Sequence, residues 1–404
     1  MNPARPMPPG AAVFYSTIRQ WPWGAPDYVW PRAARRLREG GIPVLAIQRA
    51  QIWNHPEMRD LVGRGVKLFR QPPLVYRRGL LSEIRAAWLN LVSSTQPLRR
   101  ALRSLRAPHL LIDQSGAFDF LDDPVLEELI VESEASYDVL FRSNSYFSPL
   151  SLEQRQRARR FLGAARRTLF NSEWTREVTE TQLAHRLDNA SCFTHYVRFE
   201  HQKPLPWPAD DVIRLASVSR IDCYHKGLDV LLEALAQLPA DLPAWTLDIH
   251  GSGPDESYLR DLAQFLELGE RVRFHPRTED IRAIWARSHL LVLVSRYEGL
   301  GVAMLEAMAC GRPVFRTPYG GSRAWVAPEE TGYICPAPDA PIIAQSLAAA
   351  LRDFPRWPAM GRAAHARIAA QLSPYPETTY LEPFGIPPAP VVSTTPAEAS
   401  SDCD

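Results

Sequence analysis

Short apolar runs alternate with amphipathic segments along almost the whole chain, and this alternation limits the fold more than any other feature. In the first two hundred residues, runs of strand length lie at Ala12–Tyr15, Pro43–Ile47, His109–Asp113, Asp138–Phe141 and Thr168–Phe170. The amphipathic segments between them predict helices at 28–40, 80–106, 123–134, 151–165 and 173–186. Because strands separated by helices form parallel sheets covered on both faces, the pattern predicts an α/β fold.

A proline-rich segment divides the alternation in two. Residues 203–208 read KPLPWP, and three prolines in six residues cannot continue a helix or a central strand. A second series of strands follows at Ile213–Ser219, Trp245–His250, Val272–His275, Leu290–Ser295, Val314–Thr317 and Tyr333–Cys335. Helices are expected near 227–238, 255–267, 278–287, 302–310 and 340–353. The sequence predicts two α/β domains, at 1–203 and 208–353, with a cleft between them.

The composition is that of an ordinary globular chain. Among 404 residues, 46 basic and 45 acidic side chains give a formal net charge of +1. The longest apolar run, Leu290–Val294, is far shorter than the roughly 18 residues of a membrane-spanning helix, and the first residues lack the apolar core of a signal peptide. Five cysteines without a CxxC pair predict reduced thiols and a cytoplasmic protein. The absence of GxGxxG after the first strand argues against a dinucleotide-dependent oxidoreductase.

The small net charge hides an asymmetry along the chain. Residues 1–110 contain 18 Lys and Arg against 5 Asp and Glu, a net of +13, whereas residues 111–140 contain 9 acidic residues and no basic one. The basic stretch would suit an anionic partner such as the inner face of a membrane. Alternatively, the acidic block balances it in three dimensions and leaves an ordinary solvated surface. No nucleic-acid partner is expected.

The most informative stretch combines a strand end, a glycine-containing turn and a helix in SRYEGLGVAMLEAMACGRPV, residues 295–314. Ligands bind beyond the carboxyl ends of the strands in an open parallel sheet, and backbone N–H groups at Gly299–Gly301 suit a phosphate. Glu298 precedes the helix, and Glu306 follows roughly two helical turns later. Carboxylates are acceptors that suit sugar hydroxyls, although two solvated glutamates on a surface helix would give the same pattern.

A second stretch places two cations near the same site. Residues 216–227 read ASVSRIDCYHKG, with Arg220 just after a strand and Lys226 six residues later, before an apolar-periodic helix. Two cations at the carboxyl edge of a sheet are costly unless an anion binds there, and a diphosphate would supply that anion. The alternative is that Lys226 is a solvated residue at the start of a helix.

Other candidates carry weaker signals. Gly251 and Gly253 lie in a turn after a strand, a pattern that most often marks only a tight turn. His275 lies at a strand end, where a lone histidine is more often structural than catalytic. Ser16 and Asp113, at the ends of two N-terminal strands, are expected to face the cleft.

The stretch with Glu298 and Glu306 resembles the EX7E signature of the retaining glycosyltransferase family four, whose members have the GT-B fold. Arg220 and Lys226 have the spacing of that family's cation pair, and the resemblance covers residues 210–370. It is looser over 1–200, where residues 21–30, 168–174 and 205–208 resemble one bacterial branch. The resemblance implies two Rossmann-like domains facing a cleft, with helices of 354–386 returning to the N-terminal domain. Residues 387–404, rich in Pro, Ser, Thr and Ala, predict a disordered tail.

The resemblance also implies roles for individual residues. Glu298 would contact the transferred sugar and Glu306 the ribose, while Arg220 and Lys226 would neutralise the leaving diphosphate. Gly24 stands where the family has a glycine pair in the N-terminal part of the cleft. The other residues expected to bind the donor are Gly251, Gly253, His275, Arg277, Gly299, Leu300 and Gly301.

The expected function is transfer of a sugar, with retention, from a nucleotide-diphosphate sugar to a glycan, glycolipid or other hydroxyl acceptor, as in polysaccharide biosynthesis. No cofactor and no metal is expected, because cations and backbone N–H groups can neutralise the leaving group. Three departures from the family pattern lie at Gly24, near the hinge and after Gly320–Gly321. They keep two alternatives open: a noncatalytic nucleotide-sugar-binding or scaffold protein, and another GT-B enzyme such as a nucleotide-sugar epimerase.

Overall fold

The computed structural model of the protein describes the chain from residue 10 to residue 387 with several gaps. The described ranges are 10–18, 23–24, 27–71, 96–103, 105–114, 116–144, 149–193, 197, 203–210, 212–373 and 375–387. Most of the helix predicted at 80–106 therefore lies outside the described residues, although 96–102 are helical. The tail predicted from 387 lies outside them except for its first residue.

The N-terminal domain is built on a seven-stranded sheet in which every neighbouring pair is parallel. Its strands are β1 (Ala12–Ser16), β2 (Val44–Arg49), β3 (Lys67–Gln71), β4 (His109–Gln114), β5 (Ser136–Phe141), β6 (Arg167–Phe170) and β7 (Ala190–Cys192). The helices between them are α1 (Trp30–Glu39), α2 (Pro56–Gly63), α3 (Pro124–Glu132), α4 (Leu152–Ala164) and α5 (Glu173–Leu183). Two buried apolar clusters lie on the faces of the sheet.

The C-terminal domain has a six-stranded sheet that is also entirely parallel. Its strands are β8 (Ile213–Val218), β9 (Trp245–His250), β10 (Val272–His275), β11 (Leu290–Leu293), β12 (Val314–Arg316) and β13 (Gly332–Ile334). Its helices are α6 (Cys223–Lys226), α7 (Leu228–Ala236), α8 (Glu256–Phe265), α9 (Ile281–Arg287), α10 (Val302–Ala309), α11 (Ser322–Trp325), α12 (Ala340–Arg352) and α13 (Trp357–Gln371). A last helix, α14 (Thr378–Leu381), follows.

The two sheets share one winding order. The spatial order is β3-β2-β1-β4-β5-β6-β7 in the first and β10-β9-β8-β11-β12-β13 in the second. In each sheet the chain winds outward from one central strand and then returns to wind the other way, which is the doubly wound Rossmann arrangement. The switch points lie between β1 and β4 and between β8 and β11, where a crevice opens beyond the strand ends. The expected fold of two Rossmann-like domains, GT-B, is confirmed.

Apart from the helix at 80–106, which lies mostly outside the described residues, the strands and helices predicted by the alternating pattern are confirmed to within a few residues. Several elements that the pattern did not predict are short or exposed. The edge strand β3 has the sequence KLFRQ and faces solvent over much of its length, so it lacks an apolar run. The edge strand β7 has three residues, and α6 has four. Helix α2 begins at a proline and has few buried residues. Such elements give little hydrophobic periodicity.

The chain returns to the N-terminal domain at its C-terminal end. Helix α13 packs against α10 of the C-terminal domain, whereas α14 packs against α1. Tyr380 and Leu381 of α14 are buried in the N-terminal core. Arg167 donates to the carbonyl oxygen of Thr379 at 2.8 Å and forms an ion pair with Glu382. Residues 375–386 therefore attach the end of the chain to the first sheet.

The proline-rich linker lies against the C-terminal domain and is held by one buried arginine. Arg312 donates to the carbonyl oxygens of Pro206 at 2.7 Å and Leu205 at 3.3 Å, and its guanidinium stacks over Trp207. Its Nε donates to the carbonyl of Trp285 at 2.8 Å. Prolines have no backbone N–H to donate, but their carbonyl oxygens can still accept hydrogen bonds. Arg312 supplies the donors that fix the linker through these carbonyls.

Ion pairs engage some of the arginines of the basic N-terminal stretch. Five of them form ion pairs, which are Arg32–Glu377, Arg35–Asp60, Arg36–Glu39, Arg49–Asp27 and Arg64–Asp60. The acidic block at 111–140 pairs elsewhere, as in Asp113–Arg142, Glu127–Arg157 and Asp138–Arg167. These five arginines thus pair directly with carboxylates outside residues 111–140, although the charge of Arg49 also acts on Asp113 of the acidic block.

No helix among the described residues is long and apolar enough to cross a membrane. The four cysteines in the described part of the chain, Cys192, Cys223, Cys310 and Cys335, are free thiols.

The pair of Asp27 and Arg49 gives a test of the N-terminal core. Both side chains are almost fully buried, with Asp27 Oδ2 2.6 Å from Arg49 Nη2. Asp27→Asn leaves the guanidinium without its counter-charge, and we expect the N-terminal domain to lose about 3–5 kcal/mol of unfolding free energy. Denaturant unfolding measures this loss. The control Glu39→Gln disrupts the exposed pair with Arg36 and is expected to leave the transition in place; equal transitions for both variants would contradict the assignment.

Candidate functional site

The loops that follow β8 and β11 meet at the switch point of the second sheet. Lys226 Nζ donates to Glu298 Oε2 at 2.6 Å, and Ser295 Oγ donates to the same oxygen at 3.2 Å. The two charged side chains are 19% and 13% exposed. The structure thus brings together the lysine of one predicted motif and the first glutamate of the other.

Arg220, the other predicted cation, is fixed by residues of its own loop. Its Nη2 contacts the carboxylate of Asp222 and lies 3.0 Å from Nδ1 of His225. Asp222 caps the short helix α6 by accepting the backbone N–H of His225 at 3.0 Å. Burial raises the pKa of Asp222, but hydrogen bonds from His225 and the charge of Arg220 outweigh burial and lower it. The guanidinium is therefore held beside an ionised carboxylate at the strand end.

A second arginine locks the two loops together. Arg296 forms a two-pronged ion pair with Asp229 at 2.8 and 2.9 Å and also donates to the carbonyl of Cys223. The backbone N–H groups of Arg296 and Tyr297 both donate to the carbonyl of His225, at 2.9 and 3.1 Å. The carbonyl of His225 lies at the end of α6, where the last carbonyls of a helix lack partners within the helix. These hydrogen bonds set the position of Lys226 relative to Glu298.

The charge on Glu298 is maintained by its neighbours. Burial alone would raise the pKa of this carboxyl, but the charges of Lys226 and Arg316 and the hydrogen bond from Ser295 lower it below its usual range. Glu298 is therefore ionised at neutral pH and acts as a hydrogen-bond acceptor only. An ionised acceptor at the mouth of a crevice suits a polyhydroxylated ligand.

The glycine turn leads from Glu298 into α10. Gly301 has φ +79°, a left-handed conformation that favours glycine, and it caps the helix that begins at Val302. Leu300 is buried in the core of the C-terminal domain. Glu306 lies in the second turn of α10 and is only 6% exposed. The second predicted glutamate is therefore inside the domain, deeper than the first.

The predicted residues after β9 and β10 form an adjoining part of the crevice. Gly251 and Gly253 pass so close to the carbonyls of Ser219 and Ile221 that any side chain would overlap them. His275 donates its Nε2–H to Asp248 Oδ1 at 2.7 Å and stacks on His250. Burial and the neighbouring His275 lower the pKa of His250 to about 4.

The remaining donor candidate, Arg277, lies where the domains meet. Its Nη2 donates to Glu279 at 2.8 Å, and Tyr28 of the N-terminal domain donates to the other oxygen of Glu279 at 3.2 Å. Arg277 therefore belongs to a polar contact between the domains as well as to the edge of the crevice.

The three N-terminal candidates have local partners. Ser16 and Asp113 lie side by side at the ends of β1 and β4, at the first switch point. The hydroxyl oxygen of Ser16 accepts from the backbone of Ile18 at 3.2 Å, and both carboxylate oxygens of Asp113 accept from Arg142. Gly24 donates its backbone N–H to Asp27 at 2.8 Å. Asp113 is therefore held by Arg142, although burial outweighs this counter-charge and raises the pKa of the Asp113 carboxyl above its usual value.

The domains contact each other through the glycine turn itself. Tyr297 hydrogen-bonds with Ser143, and Gly299 lies against the carbonyl of Arg142 and the amide of Asn171. A Cβ atom at Gly299 would overlap both groups. The segment that carries Glu298 thus forms part of the interface between the domains.

Sequence reasoning missed several residues that position the site. Asp222 and His225 lie within the motif that was singled out, and their polarity beside two cations was an available signal. Arg296 and Asp229 are 67 residues apart, and Ser143 and Asn171 belong to the other domain. No spacing rule pairs such distant residues.

No group of three or more His, Cys, Asp or Glu side chains that could hold a metal ion occurs within the described ranges. The crevice of the second sheet contains two ion pairs, Arg220 with Asp222 and Lys226 with Glu298.

The second half of the chain matches a known family. Residues 197–367 match the family Glycosyl transferases group 1. This range contains the second sheet and both charged loops.

Curated relatives are similar over more than a third of the chain. An N-acetyl-alpha-D-glucosaminyl L-malate synthase from Bacillus anthracis is 30% identical over 146 residues, which is 36% of this chain and 38% of that protein. A GDP-mannose-dependent monoacylated alpha-(1-6)-phosphatidylinositol monomannoside mannosyltransferase from Corynebacterium glutamicum is 36% identical over 158 residues, 37% of this chain and 41% of that protein. The matched segments span about two fifths of these relatives' own length.

Solved structures resemble the whole chain. Sucrose-phosphate synthase from Thermosynechococcus elongatus has a TM-score of 0.71 at 19% identity, covering 92% of this chain and 96% of that one. Anabaena HepE in complex with UDP and glucose has a TM-score of 0.68 at 17% identity, covering 92% and 99%. At these identities the likeness concerns the fold, and it extends to the N-terminal domain.

The contact at Gly299 gives a test of the domain interface. Because an added methyl group would overlap the carbonyl of Arg142, we expect Gly299→Ala to separate the domains and to increase the radius of gyration. Small-angle X-ray scattering measures the change. Gly163→Ala is the matched control, because a Cβ at that position meets nothing within 4 Å. Identical scattering from both variants would show that the domains do not close on Gly299 in solution.

Proposed function

We propose that the protein is a retaining glycosyltransferase of the bacterial branch described above, with a nucleotide-diphosphate sugar as its donor. The observation that carries the proposal is the pairing of Lys226 with Glu298 at the switch point of the second sheet, beside Arg220. It is supported by the family match over residues 197–367, which contains these residues. A structural neighbour in complex with UDP and glucose supports a nucleotide-sugar donor.

The cations would act on the leaving group. Departure of a nucleoside diphosphate leaves negative charge on the β-phosphate, and a fixed positive charge nearby lowers the barrier. Arg220 and Lys226 supply that charge from the loop after β8, and the N–H groups of the glycine turn add to it. Arg296 and Asp229 hold this loop against the turn, so these charges need not reorganise during the reaction.

The carboxylates would hold hydroxyl groups. Glu298, which is ionised and only 13% exposed, would accept hydrogen bonds from the transferred sugar, and Glu306 would accept from the ribose, as the resemblance to the EX7E motif implies. Gly251, Gly253, His275 and Arg277 would line the nucleotide. In a front-face reaction with retention, the departing phosphate oxygen takes the proton of the acceptor hydroxyl.

The acceptor would bind on the N-terminal domain, opposite Glu298. Ser16, Gly24 and Asp113 lie at or near the first switch point, where an acceptor hydroxyl could approach. A glycan or glycolipid acceptor at the inner face of the membrane would fit a role in polysaccharide biosynthesis. Arg32, Arg35 and Arg36 already pair with carboxylates of the protein. The proposal that the protein binds an anionic membrane surface therefore rests on the other basic residues of 1–110.

Binding of nucleoside diphosphates tests the proposed donor site. Titration of UDP, GDP, ADP, CDP and TDP without added metal should reveal binding of at least one of them. Lys226→Ala should weaken that binding about 10- to 100-fold, as expected for a lost hydrogen bond to a charged group. Lys203→Ala, which removes an exposed lysine of the linker, is the control. Unchanged affinity in Lys226→Ala would remove this lysine from the phosphate site, and absence of all binding would contradict the donor.

Glu298→Gln separates turnover from affinity. The amide keeps the shape of the side chain but loses the charge beside Lys226, so the sugar is held less well as its ring becomes positive. We expect turnover with the donor sugar to fall about 100-fold or more, with nucleoside diphosphate affinity nearly unchanged. Glu270→Gln, at an exposed position, is the matched control. Full activity in Glu298→Gln would exclude this residue from the reaction, and binding without transfer by the wild type would favour a noncatalytic nucleotide-sugar-binding protein.

A further inference from the structure

Arg316 is a buried cation at the end of β12, directly beside the proposed donor site. Its side chain is about 1% exposed, and it forms no ion pair with any residue in the described ranges. Burial lowers the pKa of Arg316 to about 10, so the guanidinium remains charged at neutral pH. A buried charge without an ion pair is costly unless hydrogen bonds offset the loss of water.

The hydrogen bonds of Arg316 go to two turns. Its Nη1 donates to the carbonyl of Leu300 at 3.0 Å, and its Nη2 donates to the carbonyl of Tyr319 at 2.6 Å. The first carbonyl belongs to the turn 299–301 and the second immediately precedes Gly320–Gly321. The two turns are also joined by the N–H of Gly321, which donates to the carbonyl of Gly299 at 3.0 Å. A planar guanidinium can span both turns, whereas a single ammonium cannot reproduce this fork.

The same guanidinium is close to Glu298. A Cβ atom built on Gly301 would lie 3.2 Å from Nη1 of Arg316 and 3.5 Å from Cγ of Glu298. The charge of Arg316 is also one of the causes of the lowered pKa of Glu298. Arg316 therefore acts on the carboxylate through the turn and through its field.

We propose that Arg316 is a positioning residue that holds the turns 299–301 and 319–321 in the arrangement that receives the donor sugar and its diphosphate. The inference rests on the proposed function, since it assigns these turns to the donor. Arg316 does not need to touch the donor, because its donors are already directed at the carbonyls of Leu300 and Tyr319.

Arg312 provides a matched control for burial and charge. It is as buried as Arg316, burial likewise lowers its pKa to about 10, and it also donates to carbonyl oxygens. Its acceptors are Trp285 and the linker residues Leu205 and Pro206 rather than the turns. Substitution of Arg312 therefore shows the effect of losing any buried arginine, and substitution of Arg316 shows in addition the effect of losing the bonds to the two turns.

Hydrogen exchange tests the holding role without any ligand. In the full chain, Arg316→Met should speed exchange of the amides in 299–303 and 320–321 about tenfold or more, because the bonds that fix the turns are lost. Arg316→Lys should give an intermediate increase, and it covers the case in which the methionine variant does not fold. Arg312→Met should change exchange in the linker instead. The proposal would be overturned if the amides of the turns exchanged at the same rate in the wild type and in Arg316→Lys. It would also be overturned if Arg312→Met accelerated exchange of the turns as much as Arg316→Met does.

The pH dependence of transfer gives a second readout that a merely structural residue would not move. The groups that face Glu298 are Lys226, Ser295, Tyr297 and Arg316. Because Arg316 favours the ionised carboxylate, Arg316→Met should shift the acid limb of kcat/KM to higher pH, whereas Arg316→Lys should keep it near wild type. If the acid limb of kcat/KM in Arg316→Met lies at the same pH as in the wild type, the proposed effect of the Arg316 charge on Glu298 is overturned. Altered exchange without nucleotide binding by the wild type would overturn the proposed function and keep the turn-holding role.

Discussion

Reversal of winding in each parallel sheet is the constraint on which the rest of the structure depends. After β3 and after β10 the chain returns to the middle of the sheet, so the loops beyond β1 and β4, and beyond β8 and β11, diverge and leave a crevice. Side chains at these strand ends can be polar because the crevice is not filled by a helix. Ser16 and Asp113 occupy the first crevice, and the loops with Arg220 and Glu298 occupy the second.

Charge balance then decides how the second crevice is organised. A carboxylate as buried as Glu298 would be destabilised alone, and the lysine donor with the nearby guanidinium of Arg316 compensates for the lost water. Arg220 is balanced in the same way by Asp222. Each cation is thus held in place by an anion of the protein, so the positive charges remain ordered at a site proposed for a diphosphate.

The sequence allowed the two parallel sheets to be predicted because apolar strands are continuous and helices are periodic. It also identified Lys226 and Glu298, since motifs with charged residues at strand ends are local in sequence. It could not identify Arg316, because this residue lies within the predicted strand Val314–Thr317 and no local spacing relates it to the two turns that it contacts. The pairing of Arg296 with Asp229 could not be predicted for another reason, because it depends on how two loops pack across the switch point.

Closure of the domains and organisation of the site are physically linked. Tyr297, Glu298 and Gly299 are consecutive, and the outer two contact Ser143 and the carbonyl of Arg142 in the N-terminal domain. A backbone this short cannot change its position at Gly299 without moving Glu298. The guanidinium of Arg142 also binds Asp113 and Tyr380, which ties the N-terminal crevice and the returning end of the chain to the same point. The position of the carboxylate proposed to meet the sugar therefore depends on the domain proposed to carry the acceptor.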